Sequence, residues 1–190
     1  MLRELKTALV LLILMTVLTG GVYPLFVTGF AKTFFPYQAE GGLIVRNGKI
    51  VGSELIGRPC DDPGCFRGRP SATSPFPYNA AASSGSNLGP TNPALVQAVQ
   101  ERDKRLKESD PGNTLPIPID LVTASASGLD PEITPAAALW QVPRVARARG
   151  LAEARVRTLV EEHVRGRTFG VLGEPRVNVL MLNLALDEEK

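Results

Sequence analysis

The chain has 190 residues, 44% hydrophobic and 21% charged, with a formal net charge of +2 at pH 7. That balance fits one folding unit plus an apolar segment, and without a run of like charges it argues against nucleic-acid or polybasic lipid binding. Two cysteines and one histidine are too few for a Cys/His metal cluster, so no metal site is expected.

Thr7 to Ala31 carry no charge and lie between Lys6 and Lys32. As a helix this stretch spans about 37 Å, more than the roughly 30 Å hydrocarbon core of a bilayer. It is also longer than the apolar segment of a cleaved signal peptide. We therefore expect a cytoplasmic N-terminus at residues 1–6, a transmembrane helix at 7–31 and an extracytoplasmic domain at 32–190. Arg3 and Lys6 precede the span and only Lys32 follows closely, which sets this orientation by the positive-inside bias. Phe34, Phe35 and Tyr37 then fall at the outer interface as an aromatic belt. Thr16, Gly20 and Gly21, followed by Pro24, offer a small-residue face for close helix packing, or reflect the ordinary Gly and Pro content of membrane helices. A single span has no pore of its own, so any transport role needs partners.

Leu43 to Val51 predicts a β-hairpin, because two β-branched runs flank Asn47-Gly48, the pair that suits a type I′ turn. Gly48-Lys49 is not a phosphate loop: leucine stands at 43 where glycine is needed, and Ile50 follows where Ser or Thr would bind magnesium. Cys60 and Cys65 either close a small disulfide loop in an oxidising compartment or remain two free thiols.

Gly68 to Pro93 is long and irregular. It holds Arg69, Phe76, Tyr78 and Leu88 among its turn-formers, so it reads as a functional loop rather than a spacer. Asn92 is an N-cap and Pro93 an N1 residue, predicting a helix to about Lys107. The free amides of that first turn face Asn87–Thr91, an ordinary cap or an anion site.

Beyond it, Ile117 to Val122 predicts a short strand, and Thr134-Pro135 opens a helix that Pro143 breaks. A short basic helix with Arg144, Arg147 and Arg149 follows and ends at Gly150, its arginines read as a solvated face or subunit contact. Another helix runs from near Leu151 to Gly166. Val177 to Leu184, broken only by Asn178 and Asn183, reads as a buried strand. The expected fold class is α+β: one N-terminal transmembrane helix and one mixed extracytoplasmic domain.

No catalytic residues are assigned. Gly85-Ser86-Asn87-Leu88-Gly89 places its serine one position early for a nucleophile elbow. Asp61-Asp62 and Glu161-Glu162 are adjacent pairs that cannot share a proton. His163, beside Glu162, reads as a capping or solvated histidine.

Several motifs together carry a resemblance. Gly20-Gly21-Val22-Tyr23-Pro24, Gly52-Ser53-Glu54-Leu55-Ile56-Gly57, Gly68-Arg69-Pro70-Ser71-Ala72, Pro77-Tyr78-Asn79 and Gly85 to Pro93 occur in order. Asp120 to Pro131, Gln141 to Ala146 and Gly173 to Asn178 follow. The chain resembles, over nearly all its length, the C subunit of the bacterial Kdp potassium-transporting ATPase. It departs at Arg58, where glutamine is usual, at Cys60 and Cys65, which replace aromatic positions, and at Ser84, where a second glycine often stands.

The resemblance implies a non-catalytic subunit of an ATP-driven potassium importer in the bacterial inner membrane. Its partners would be a channel-like potassium-translocating subunit, a P-type ATP-hydrolysing subunit and a small membrane subunit. ATP and potassium would belong to the complex, with no cofactor assigned to this chain. The family's C subunit is described as a catalytic chaperone that raises the ATPase subunit's affinity for ATP, and Ser84 to Asn87 is likened to the ABC signature loop. On that footing Arg69, Ser84, Gly85, Ser86, Asn87 and Asn92 form a candidate interaction or nucleotide loop. A body outside the membrane cannot touch cytoplasmic ATP, so the orientation and the nucleotide role pull against each other. The alternative is a secreted or anchored extracytoplasmic binding protein or hydrolase using the Ser86/Asn87 loop.

Overall fold

The computed structural model describes residues 1–189. Helix α1 (Leu2–Val17), a π-helical turn (Leu18–Val22) and α2 (Tyr23–Phe34) make one continuous helix, Leu2–Phe34, long and apolar enough to cross a membrane. Its apolar window is wholly unburied by the rest of the chain. The π turn has a local cause: Pro24 has no N–H, and the Tyr23 N–H reaches back to the Leu18 carbonyl, one residue beyond the α-helical partner.

A short helix α3 (Pro36–Ala39) leads into the hairpin of β1 (Leu43–Arg46) and β2 (Lys49–Ser53). Asn47 and Gly48 take φ of 52° and 73°, the left-handed pair that a type I′ turn requires. Residues 68–92 then form no helix or strand until α4 (Pro93–Ser109), where the Asn92 side chain accepts from the Ala94 N–H. The remainder comprises β3 (Glu132–Ile133), α5 (Pro135–Arg149), α6 (Glu153–Glu162), β4 (Val164–Arg165), β5 (Arg176–Asn178) and α7 (Val179–Leu186). The three strands form one antiparallel sheet in the order β3-β5-β4. Val142 and Val145 of α5, Val156 and Val160 of α6, Val177 of β5 and Leu182 and Leu186 of α7 close the core around Phe66 and Trp140. The fold is α+β, with one candidate membrane-spanning helix.

Four expected elements differ from the fold. Ile117–Val122 is not a strand but a 3₁₀ turn at Ile119–Leu121. Pro116 and Pro118 cannot donate to a ladder, and the Asp120 carboxylate instead accepts from the Thr134 N–H at 2.7 Å. Pro143 does not break α5, which runs through it to Arg149. The ring removes only the bond to the Leu139 carbonyl, while Val142, Val145 and Ala146 beside it are essentially fully buried. α6 stops at Glu162 rather than Gly166, because Val164 and Arg165 pair with Val177 and Arg176. The apolar run 177–184 is strand only to Asn178, whose side chain then accepts from the Met181 N–H and starts α7. A continuous apolar run suits a buried strand and a buried helix equally, and the Asn cap decides between them.

Candidate functional site

The long irregular loop is held by its own hydroxyls. Ser71 Oγ donates to the Gly128 carbonyl at 2.7 Å and accepts from the Tyr78 N–H at 2.9 Å. Tyr78 Oη donates to the Arg69 carbonyl at 2.5 Å, and burial pushes this phenol up to about 12, so it remains a donor at neutral pH. The Ser84 N–H donates to the Ser127 carbonyl, and a Cβ on Gly85 would sit 2.6 Å from the Ala126 carbonyl oxygen. Arg69 completes the seam, donating to Asp130 at 3.2 Å and to the Ala124 carbonyl at 3.3 Å.

Thus Arg69, Ser84 and Gly85 come together against residues 124–130. Ser86 and Asn87 are not part of that seam: both are exposed, and Asn87 has a φ of 52°. Asn92 is engaged as the cap of α4. Thr16, Gly20 and Gly21 lie on the long helix, where Thr16 Oγ1 donates back to the Leu12 carbonyl and nothing lies within 4 Å of a Cβ placed on either glycine.

Arg144 is not part of a solvated face, which corrects the expectation from sequence for that residue, whereas Arg147 and Arg149 are exposed. Arg144 is 3% exposed, and its guanidinium donates to the carbonyls of Pro63 and Cys65 and to Gln141 Oε1. Burial, then the nearby Arg67, lower its pKa to about 10, leaving it charged at neutral pH. Arg147 pairs with the buried Asp110, and Arg149 donates to the Gly64 carbonyl and pairs with Asp187. Arg144 and Arg149 thus fasten the Cys60–Cys65 loop, which a disulfide closes, to α5 and to Asp187 just past α7, while Arg147 ties α5 to the end of α4.

Between them lies a feature invisible from spacing. Phe66 is fully buried, yet it has no strand partner. Asn183 stands in for one, accepting from the Phe66 N–H at 2.8 Å and donating to its carbonyl at 2.9 Å. Gln141 does the same for Arg67, at 2.8 and 3.1 Å. The available signal was the amide side chain inside each apolar stretch, since a buried amide needs partners.

Beside this clamp is a cleft of about 550 Å³ between residues 58–71 and α4. Arg58, Arg67, Arg69, Arg102 and Arg105 line it, against Asp61 and Glu108. The Nε atoms of Arg67 and Arg69 are buried without a partner among the described residues. Burial, then Arg105, hold the Arg102 pKa below its usual value. Such a lining suits an anionic group.

The junction with the long helix is polar. Tyr37 Oη donates to Glu54 at 2.8 Å, Arg165 pairs with the same carboxylate at 2.5 Å, and Asn178 donates to the Glu54 carbonyl at 2.8 Å. The bonds from Tyr37, then Arg165, hold the Glu54 carboxyl below its usual range.

With this geometry in hand, comparison with known proteins is decisive. The family model described as KdpC: K+-transporting ATPase, c chain, matches residues 5–188. The chain belongs to the KdpC family. A potassium-transporting ATPase KdpC subunit from Herpetosiphon aurantiacus is 63% identical over 185 residues, covering 97% of this chain and 96% of that one. KdpC subunits from Methylibium petroleiphilum and Sorangium cellulosum are 61% and 60% identical, covering 96% and 98% of each chain.

Proposed function

We propose that the chain is the accessory, non-catalytic C subunit of an ATP-driven potassium importer. The observation that carries this is the family match over residues 5–188, with relatives of the same length and name. In this reading residues 7–31 of the long helix span the bacterial inner membrane, residues 1–6 lie in the cytoplasm and residues 32–190 form the extracytoplasmic body. A disulfide at Cys60–Cys65 fits an oxidising compartment and supports that orientation.

The partners are a channel-like potassium-translocating subunit, a P-type ATP-hydrolysing subunit and a small membrane subunit. ATP and potassium bind elsewhere in the complex. A chaperone effect on the ATPase subunit's affinity for ATP then reaches the cytoplasm only through the long helix. Its π turn bears Gly20 and Gly21, where a partner helix can approach closely.

The test is genetic and biochemical. Deleting the chain should abolish growth at micromolar external potassium, and the tagged chain should co-purify with a multi-span protein and a P-type ATPase. Normal growth without it, or isolation as a lone monomer, would overturn the reading.

A further inference from the structure

Residues 166–175 connect β4 to β5 and project from the body, every one of them exposed. The connection is an ordered turn. Thr168 and Leu172 exchange backbone hydrogen bonds at 2.9 and 3.0 Å, and Arg167 grips both oxygens of Glu174 below them. Closing the turn this way leaves Phe169, Val171 and Leu172 at its tip, 89%, 72% and 58% exposed. Phe169 has a φ of 54°, a strained setting for a bulky side chain. Three apolar side chains grouped at the tip of a hydrogen-bonded turn with a polar collar mark a contact surface.

The position of the base says which surface. Arg165 and Arg176, at the two feet of the turn, hold Glu54 and Glu132. Glu54 also accepts from Tyr37, just past the end of the membrane-spanning helix at Phe34. The turn therefore starts from the end of the body where the helix emerges. Four residues from Arg165 to Phe169 reach about 13 Å in extended chain. The headgroup layer is only about 5–8 Å thick on each side of the hydrocarbon. Directed along the helix toward the membrane, a turn of that length would cross the headgroup layer when the helix spans a bilayer.

We propose that the 168–172 turn is a second membrane contact, with Phe169, Val171 and Leu172 inserted at the headgroup–acyl boundary of the leaflet from which the helix emerges. An aromatic and two aliphatic side chains above an arginine collar match the chemistry of that boundary. Two contacts joined through Glu54 fix the tilt of the body over the membrane, which a single helix cannot do. The inference rests on the anchor reading above, and its test separates the two.

The full-length chain carrying Phe169→Trp is reconstituted into bilayers of ordinary or bromine-labelled acyl chains. Trp140, 4% exposed in the core, is a constant background. Phe34→Trp serves as the reference for the helix, and Val171→Trp repeats the test should the first variant fold poorly. The expected result is a blue-shifted emission at 169 that brominated lipid quenches as it quenches 34. Unquenched emission at 169 and 171, with 34 quenched, overturns the contact and leaves the anchor standing. Loss of quenching at all three overturns both. A shift that needs the other subunits and is insensitive to bromine also overturns the proposal, assigning the tip to a protein partner.

Discussion

Replacing Gln141 by leucine tests the clamp that holds residues 65–67 in the core. The side chain is fully buried and makes four hydrogen bonds: to the Arg67 N–H and carbonyl, the Ala137 carbonyl and the Arg144 guanidinium. Leucine is close in volume, so the cavity contribution is small and the loss is polar. The Arg67 N–H and carbonyl lose their partners, at about 1–3 kcal/mol each. Arg144 keeps the Pro63 and Cys65 carbonyls, so its loss is only partial. The added apolar contact of leucine offsets part of this, leaving a net destabilisation of about 3–5 kcal/mol, a large share of the 5–15 kcal/mol typical of a domain.

Gln141→Glu keeps the acceptor for Arg67 and Arg144 but turns a second carboxyl oxygen toward the Arg67 and Ala137 carbonyls in a fully buried site, so it too should destabilise. The assay is urea unfolding of the full-length chain in detergent, followed by near-ultraviolet circular dichroism of Trp140. If Gln141→Leu unfolds within about 0.5 kcal/mol of wild type, the clamp does not hold the loop as described.

Gly85→Ala should destabilise the body by about 1–3 kcal/mol, because its Cβ meets the Ala126 carbonyl oxygen, whereas Ser86→Ala should leave stability and potassium-dependent growth unchanged. A thermal melt separates the two. Reducing the Cys60–Cys65 bond should lower stability by about 2 kcal/mol, the loop-closure value for so short a ring, as read from melts with and without reductant. Glu54 has a lowered pKa when folded, so its contribution is present above its ordinary value of 4.5 and is lost as pH falls through the folded value. Glu54→Gln should therefore flatten the acid limb of stability below about pH 4.5, and an unchanged limb would exclude that role for Glu54. Gly20→Leu together with Gly21→Leu should leave the body folded while reducing co-purification with the other subunits.

Features set by one or two residues were legible in advance. Asn47-Gly48 dictates its hairpin, Asn92-Pro93 and Thr134-Pro135 each start a helix, and Gly150 ends one in the left-handed region, because each acts through local backbone geometry. Features set by tertiary context were not. Pro143 is tolerated only because α5 is buried on both sides of it, and the Val177–Leu184 run changes from strand to helix at Asn178. Arg144 looks like a surface cation in sequence and becomes a buried fastening only when Pro63 and Cys65 fold over it. Of the candidate loop, Arg69, Ser84 and Gly85 meet in a seam that requires residues 124–130, some 40 to 60 positions away. No local pattern encodes such a pairing.

The account depends on a body that sits outside the cell membrane and acts only through its neighbours. The direct measurement is thiol labelling with a membrane-impermeant reagent in osmotically shocked cells. The single cysteine is placed at the exposed Ser86, in a chain carrying Cys60→Ser and Cys65→Ser. The account predicts full labelling before lysis, and labelling that appears only after the inner membrane is broken would contradict it.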